Sequence, residues 1–248
     1  MIFAQAVTMR ATCAVTAVVA LLAAGAASGE SPGPVRHPFV LGRSVLGTPI
    51  TGVRLGDPDS KRRVAIICCI HGNENAGFAV VRQLEDMPDP AGVDLWLVED
   101  ANPDGVAAGQ RDNAHGVDLN RNFPWRWHRH GKPGWQHYSG TKPLSEPESR
   151  ALAAFLLRVK PQVVIWYHQA LGLVDESGGS LAVERQFATL TGYRLLRLKR
   201  YDGSATSWAN GQLPGSTSFV VELPPGELTP KAALRQARAV LALARRMG

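Results

Sequence analysis

The chain has 248 residues, 45% of them hydrophobic, which is enough to bury one good core at a length where large α/β units still form single domains. Its net charge is +6, but the 27 Lys and Arg residues are scattered. No basic block stands out, so a nucleic-acid partner is not expected; the charge reads as solvated surface that suits anionic surroundings such as a cell-wall polymer or an acidic peptide.

In chain order, Arg10 is followed by an uncharged run, Ala11 to Ala27, that ends in Ala24-Gly25-Ala26-Ala27, small residues a signal peptidase accepts. This predicts a signal peptide over 1–27 and an exported protein, secreted or associated with the cell wall. The run is Ala-rich and short for a spanning helix, which leaves an uncleaved membrane anchor as the lesser alternative. No stable membrane partner is expected beyond this leader. Gly29, Pro32, Gly33, Pro34 and Pro38 punctuate 28–38 as a linker, so the folded domain is expected over 39–248.

Arg62 to Ile70 after its two arginines, Val93 to Val98 apart from Asp94, and Val163 to Tyr167 are apolar runs rich in β-branched residues, suited to strands buried on both faces. Adjacent Cys68 and Cys69 point to opposite faces of such a strand, so no disulfide is expected between them. Glu74 to Leu84 and Glu146 to Val159 carry apolar residues at helical spacing, with Ser145 and Glu148 placed like a capping box. Phe219 to Leu223 reads as another buried strand. Pro230 to Met247 reads as a closing helix with Arg245 and Arg246 at the favourable end of its dipole. The alternation predicts a single α/β domain with a mixed, largely parallel central sheet and helices on both faces.

In such sheets functional groups gather where strands end, which singles out His71, His168 and Glu222, each following or interrupting an apolar run. His71 and Glu74 are three apart in Ile70-His71-Gly72-Asn73-Glu74, a spacing that suits one metal ion where a strand gives way to a helix. A catalytic zinc wants three protein ligands, and His168, ending a separate strand, is the best third. Asn102-Pro103-Asp104-Gly105 is a turn signal. Arg111 and the polar run Asp118-Leu119-Asn120-Arg121-Asn122 offer planar donors able to grip a carboxylate.

Taken together and in order, His-x-x-Glu, Asn-Pro-Asp-Gly, Arg111, Gly116-Val117-Asp118-Leu119-Asn120-Arg121-Asn122-Phe123, His168 and Phe219-Val220-Val221-Glu222-Leu223-Pro224 resemble the zinc carboxypeptidase family M14. The resemblance implies one zinc ion per chain on His71, Glu74 and His168, with Glu222 as general base. It implies that Arg111 stabilises the oxyanion, that Asn120 and Arg121 hold the substrate's terminal carboxylate, and that Asp118 orients His71.

One departure matters. Digestive members carry a tyrosine on the loop before the catalytic glutamate, and residues 202–221 hold none; Trp208 stands in that stretch. The Gly42-Arg43-Ser44-Val45-Leu46-Gly47 start and the Gly203-Ser204-Ala205-Thr206-Ser207-Trp208 loop instead resemble the small bacterial branch of the family that acts on murein peptides. A peptide is thus the expected partner, with the γ-D-glutamyl–diaminopimelate bond of wall peptides as the expected target. The alternatives are a general peptide carboxypeptidase and a zinc deacylase acting on N-acyl amino acids, the latter disfavoured by the intact Asn120-Arg121 pair. The sequence leaves the oligomeric state open.

Overall fold

The computed structural model describes residues 36–247. The expected leader and most of the expected linker lie outside the described residues. The first strand, β1 (His37–Arg43), begins two residues before the expected domain start at Phe39. It forms an antiparallel hairpin with β2 (Pro49–Gly56). After β3 (Arg63–Cys68), α1 (Gly77–Asp86) and β4 (Asp94–Val98) come α2 (Pro103–Ala108) and α3 (Pro147–Val159). The second half holds β5 (Val163–Gln169), β6 (Leu173–Asp175), α4 (Leu181–Thr191), β7 (Arg194–Leu196), α5 (Ala205–Gln212), β8 (Thr217–Leu223) and α6 (Pro230–Arg245).

The eight strands make one mixed sheet in the order β1-β2-β4-β3-β5-β8-β6-β7. Its centre, β4-β3-β5-β8, is parallel, and antiparallel pairs join β2 to β4 and β6 to β8. The central strands read as unbroken apolar runs because both faces are covered. Along β5, Val163, Ile165 and Tyr167 enter the core under α1, α4 and α6, while Val164 and Trp166 enter the core under α3 and α5. The same alternation runs through β8, where Phe219 and Val221 face the first core and Val220 the second. His168 and Glu222 therefore emerge on the α3/α5 face at the ends of neighbouring strands, where they pair in register.

Several local expectations are corrected. The helix expected from Glu74 starts at Gly77, because residues 71–75 form a turn in which the Glu74 N–H donates to the His71 carbonyl at 3.0 Å. Gly77 fits there since a Cβ would lie 2.7 Å from Cys68 Sγ. The capping box at α3 does not form: Glu146 is the N-cap, the Ser145 hydroxyl donates to Glu146, and Glu148 accepts from the Val45 N–H. The Asn-Pro-Asp-Gly turn is the start of α2, with Asn102 capping the Gly105 N–H and Pro103 at the first position. Its Asp104 accepts from Ser44, Leu46 and Thr48, which ties the turn of the β1–β2 hairpin to the start of α2. Cys68 and Cys69 are unpaired, but both belong to the same core, because Cys69 lies beyond the strand with φ 54°. No described helix is long and apolar enough to cross a membrane.

Candidate metal centre and substrate cleft

His71 arrives from the turn after β3, Glu74 from the same turn, and His168 from the end of β5. Their ligand atoms all lie within 4.8 Å of one another. His71 Nδ1 is 2.9 Å from Glu74 Oε1, His168 Nδ1 is 2.7 Å from Glu74 Oε2, and the two Nδ1 atoms are 3.1 Å apart. On its other side His71 Nε2 meets Asp118 Oδ1 at 3.1 Å. A neutral His71 that donates from Nε2 to Asp118 turns its Nδ1 lone pair toward a carboxylate oxygen, acceptor against acceptor. A cation among the three groups resolves that conflict, so the donor set fits a metal ion.

The electrostatics agree. Burial pulls His71 down, but Asp118 and Glu74 outweigh it, and its pKa is raised. Burial would push Glu74 up, yet the facing His71 and His168 hold it far below the usual carboxylate range. Burial also lowers His168, whose Nε2 is enclosed without a partner. Asp118 is fully buried and would be raised by that alone; His71 and His137 instead hold it well below its ordinary value.

Asp118 caps the 3₁₀ turn Leu119–Arg121 that presents the neighbouring polar residues. Its Oδ2 accepts from Arg111 Nε and Nη2 at 3.1 and 3.0 Å, while Arg111 Nη1 donates to Glu74 Oε1 at 3.1 Å. The Asn120 carboxamide oxygen accepts from the Ala205 N–H at 2.9 Å, which fixes that side chain against the start of α5. Gly203 makes this approach possible: at φ 77° it packs on the Arg121 carbonyl, where a Cβ would have no room. Arg121 is 7% exposed, lies over the Tyr201 ring at 4.2 Å and keeps an unpartnered Nε.

Glu222 completes the cleft from β8. Burial, reinforced by the Glu74 carboxylate and opposed by His71 and Arg111, pushes its pKa to about 7. Its Oε2 is buried without a hydrogen-bond partner. The cleft has a volume of about 400 Å³, and His71, Glu74, Arg111, Asn120, Arg121, His168 and Glu222 all line it. That size lies within the range of small-ligand pockets. The structure thus brings together every site residue singled out from sequence, with Asp118 directly behind them.

The sequence left open which group replaces the loop tyrosine in the wall of the cleft. Trp208 takes no part in it; this residue is 5% exposed and packs into the core against Phe123, with ring centroids 5.3 Å apart. The aromatic in the wall is Tyr201, one residue before the tyrosine-free stretch 202–221. Asp175 and Thr206 also line the cleft and were not anticipated. Asp175 carries the signal that pointed to Glu222, a carboxylate closing the apolar pair Leu173-Val174, but its strand is only three residues long.

Comparison with known proteins identifies this arrangement. The family model described as zinc carboxypeptidase, peptidase M14, matches residues 30–175, more than half of the chain. The chain belongs to the zinc carboxypeptidase family M14. Membership makes it a hydrolase. The matched span contains His71, Glu74, Arg111, Asn120, Arg121 and His168, whereas Glu222 lies beyond it and is joined to the site by the sheet register. Murein peptide amidase A of Escherichia coli K12 is 31% identical over 186 residues, covering 67% of this chain and 74% of that protein. A gamma-D-glutamyl-L-diamino acid endopeptidase of Lysinibacillus sphaericus is 25% identical over 254 residues, covering 77% and 62%. The crystal structure of murein-tripeptide amidase MpaA from E. coli O157 superposes with a TM-score of 0.69 at 27% identity, covering 88% of this chain and 93% of that one.

Proposed function

We propose that this M14 hydrolase is a zinc-dependent carboxypeptidase acting on peptidoglycan-derived peptides at the γ-D-glutamyl–diaminopimelate bond. The observation that carries the catalytic reading is the unpartnered Oε2 of Glu222, buried in the same cleft as the His71, Glu74 and His168 set. Those three residues would hold the ion. Zinc so bound supplies Lewis acidity, which polarises the scissile carbonyl and makes water acidic enough to react near neutral pH.

The chain's own groups account for the rest. Glu222, with a pKa near 7, can take a proton from the attacking water and then hand it to the leaving amine nitrogen as the C–N bond breaks. Arg111 opposes the charge that develops on the carbonyl oxygen, and its two bonds to Asp118 keep the guanidinium in place. Asn120 and Arg121 grip the terminal carboxylate of the leaving residue, with Arg121 held flat by Tyr201. Asp118 keeps the His71 proton on Nε2, leaving Nδ1 for the ion.

The murein reading is supported by the two relatives named for murein and γ-D-glutamyl substrates. The expected leader over 1–27 adds to it, since export would carry the protein to wall peptides. The test compares kcat/KM of the zinc-loaded protein on the diaminopimelate tripeptide, its lysine analogue, a blocked dipeptide ending in phenylalanine and an N-acyl amino acid. The tripeptide should be cut fastest, and its lysine analogue far more slowly. Preference for the phenylalanine dipeptide would overturn the murein substrate, and preference for the N-acyl amino acid would overturn peptide cleavage.

A further inference from the structure

The sequence names no group that reads the side chain of the leaving residue, and the cleft contains one. In the antiparallel pair β6–β8, Leu173 lies opposite Glu222 and Val174 opposite Val221, which sets Asp175 at the level of Val220 on the cleft face. Glu222 and Val220 are two residues apart on one face, so Asp175 stands roughly 7 Å along the sheet from the catalytic end. A long unbranched side chain, anchored by its α-carboxylate at Asn120 and Arg121, would run in that direction.

Asp175 is 8% exposed and lines the cleft. Its oxygens accept from the Ser177 hydroxyl and the Leu198 N–H, each at 2.7 Å, and among the described residues no Lys, Arg or His pairs with it. Its neighbour Glu176 is instead paired with Arg197. A buried carboxylate left without a cation is costly unless a ligand supplies one. A second, independent feature of the same cleft points to a polar ligand: Thr206, on the first turn of α5, is 3% exposed and its hydroxyl has no hydrogen-bond partner among the described residues. Arg200 also lines the cleft, with its guanidinium against Gly178 and no acidic partner among the described residues. The wall beyond the catalytic end thus offers a negative charge, a hydroxyl and a positive charge.

We propose that Asp175 is a specificity-determining residue that reads an ammonium at the far end of the leaving residue's side chain. This rests on the proposed carboxypeptidase reading and deepens it. In a substrate with a zwitterionic end, such as diaminopimelate, the ammonium meets Asp175 while the distal carboxylate faces Arg200 and Thr206. Asp175 takes no part in bond breaking. Its loss should therefore change which substrate is chosen and leave the chemistry on a neutral side chain intact.

The experiment crosses the Asp175→Asn variant with two substrate pairs, each differing only in the ammonium: tripeptides ending in diaminopimelate or 2-aminopimelate, and blocked dipeptides ending in lysine or norleucine. The wild-type zinc enzyme should favour the ammonium-bearing member of each pair that it cuts, by roughly 10- to 10²-fold in kcat/KM. Asp175→Asn should erase that preference while holding the rate on the neutral member within a few-fold, which also reports correct folding. Equal loss on both members would assign Asp175 a structural role in tying Leu198 to β6 and overturn the proposal. So would a preference that survives in the variant, or a wild type indifferent to the ammonium in both pairs. If the pimelate peptides are not cut but the lysine preference vanishes with Asp175, the murein reading fails and the Asp175 assignment stands.

Discussion

Two halves of the cleft are built on opposite principles. On the side of β3 and β5, His71, Glu74, His168, Asp118 and Arg111 form a closed network in which nearly every polar atom faces another at 2.7–3.1 Å. On the side of β6, β8 and α5, Glu222 Oε2 and the Thr206 hydroxyl are buried without partners among the described residues, and Asp175 makes no ion pair with any of them. Buried polar groups are normally satisfied, so these mark what the fold leaves for a ligand to complete on this wall, as the unpartnered Nε2 of His168 does in the other half. The first half is organised around a positive charge between fixed donors. On the proposed reading, the second meets the substrate and carries the proton in transit.

The sharpest way to break this comparison is to remove a donor from the closed half. His71→Ala or His168→Ala should lose stoichiometric zinc and bring activity to background, as measured by metal analysis beside peptide hydrolysis. The fold should survive, as followed by circular dichroism, because the two cores under the sheet carry the burial. Full zinc occupancy in His168→Ala would remove that residue from the ligand set. In the open half the outcome differs: Glu222→Gln should keep zinc and bind peptide, yet lose roughly 10² to 10⁴ in rate, because only the proton carrier is gone. Turnover near that of the wild type would end the assignment.

The smallest effect concerns what supports the open wall. Glu184 on α4 is fully buried; its Oε1 accepts from the Ser177 and Gly179 N–H groups beside Asp175, and its Oε2 has no partner. Burial raises its pKa from 4.5 to about 7, against the pull of those two N–H bonds. Because the folded value lies above the unfolded one, this group favours the folded state most at pH below 4.5. That contribution is lost as pH rises from 4.5 to about 7 and stays lost above it. Glu184→Gln keeps the accepting oxygen and removes the charge, so its Tm should exceed the wild-type value by a few degrees at pH 8 and show little gain at pH 4. A gain of equal size at both pH values would show that charge is not the cause.

The sequence made the centre of the molecule legible because both-face burial leaves a plain mark. The runs at Arg62–Ile70, Val93–Val98, Val163–Tyr167 and Phe219–Leu223 all became parallel strands at the middle of the sheet. The edges were less visible: β6 and β7 are three residues each, too short for a period to show. Ser145 and Glu148 matched a capping pattern, yet neither caps the helix: Ser145 bonds to the Glu146 carboxylate and Glu148 reaches Val45 across the chain. Trp208 lies in the stretch without tyrosine, and only the tertiary structure shows that α5 turns it into the core and leaves Tyr201 in the cleft.

By itself, then, the sequence determined the strand-end positions of His71, His168 and Glu222 and the His-x-x-Glu spacing, since a polar residue closing an apolar run needs only local pattern to be seen. It also determined the family, through the order of those motifs. The pairing of Asp118 with His71 was expected, but tertiary structure alone decided that it meets Nε2, that Asn120 is held by α5, and that Asp175 shares a face with Glu222. These relations depend on strand order and register, which place residues 47 to 85 positions apart in contact, and no local periodicity encodes that distance.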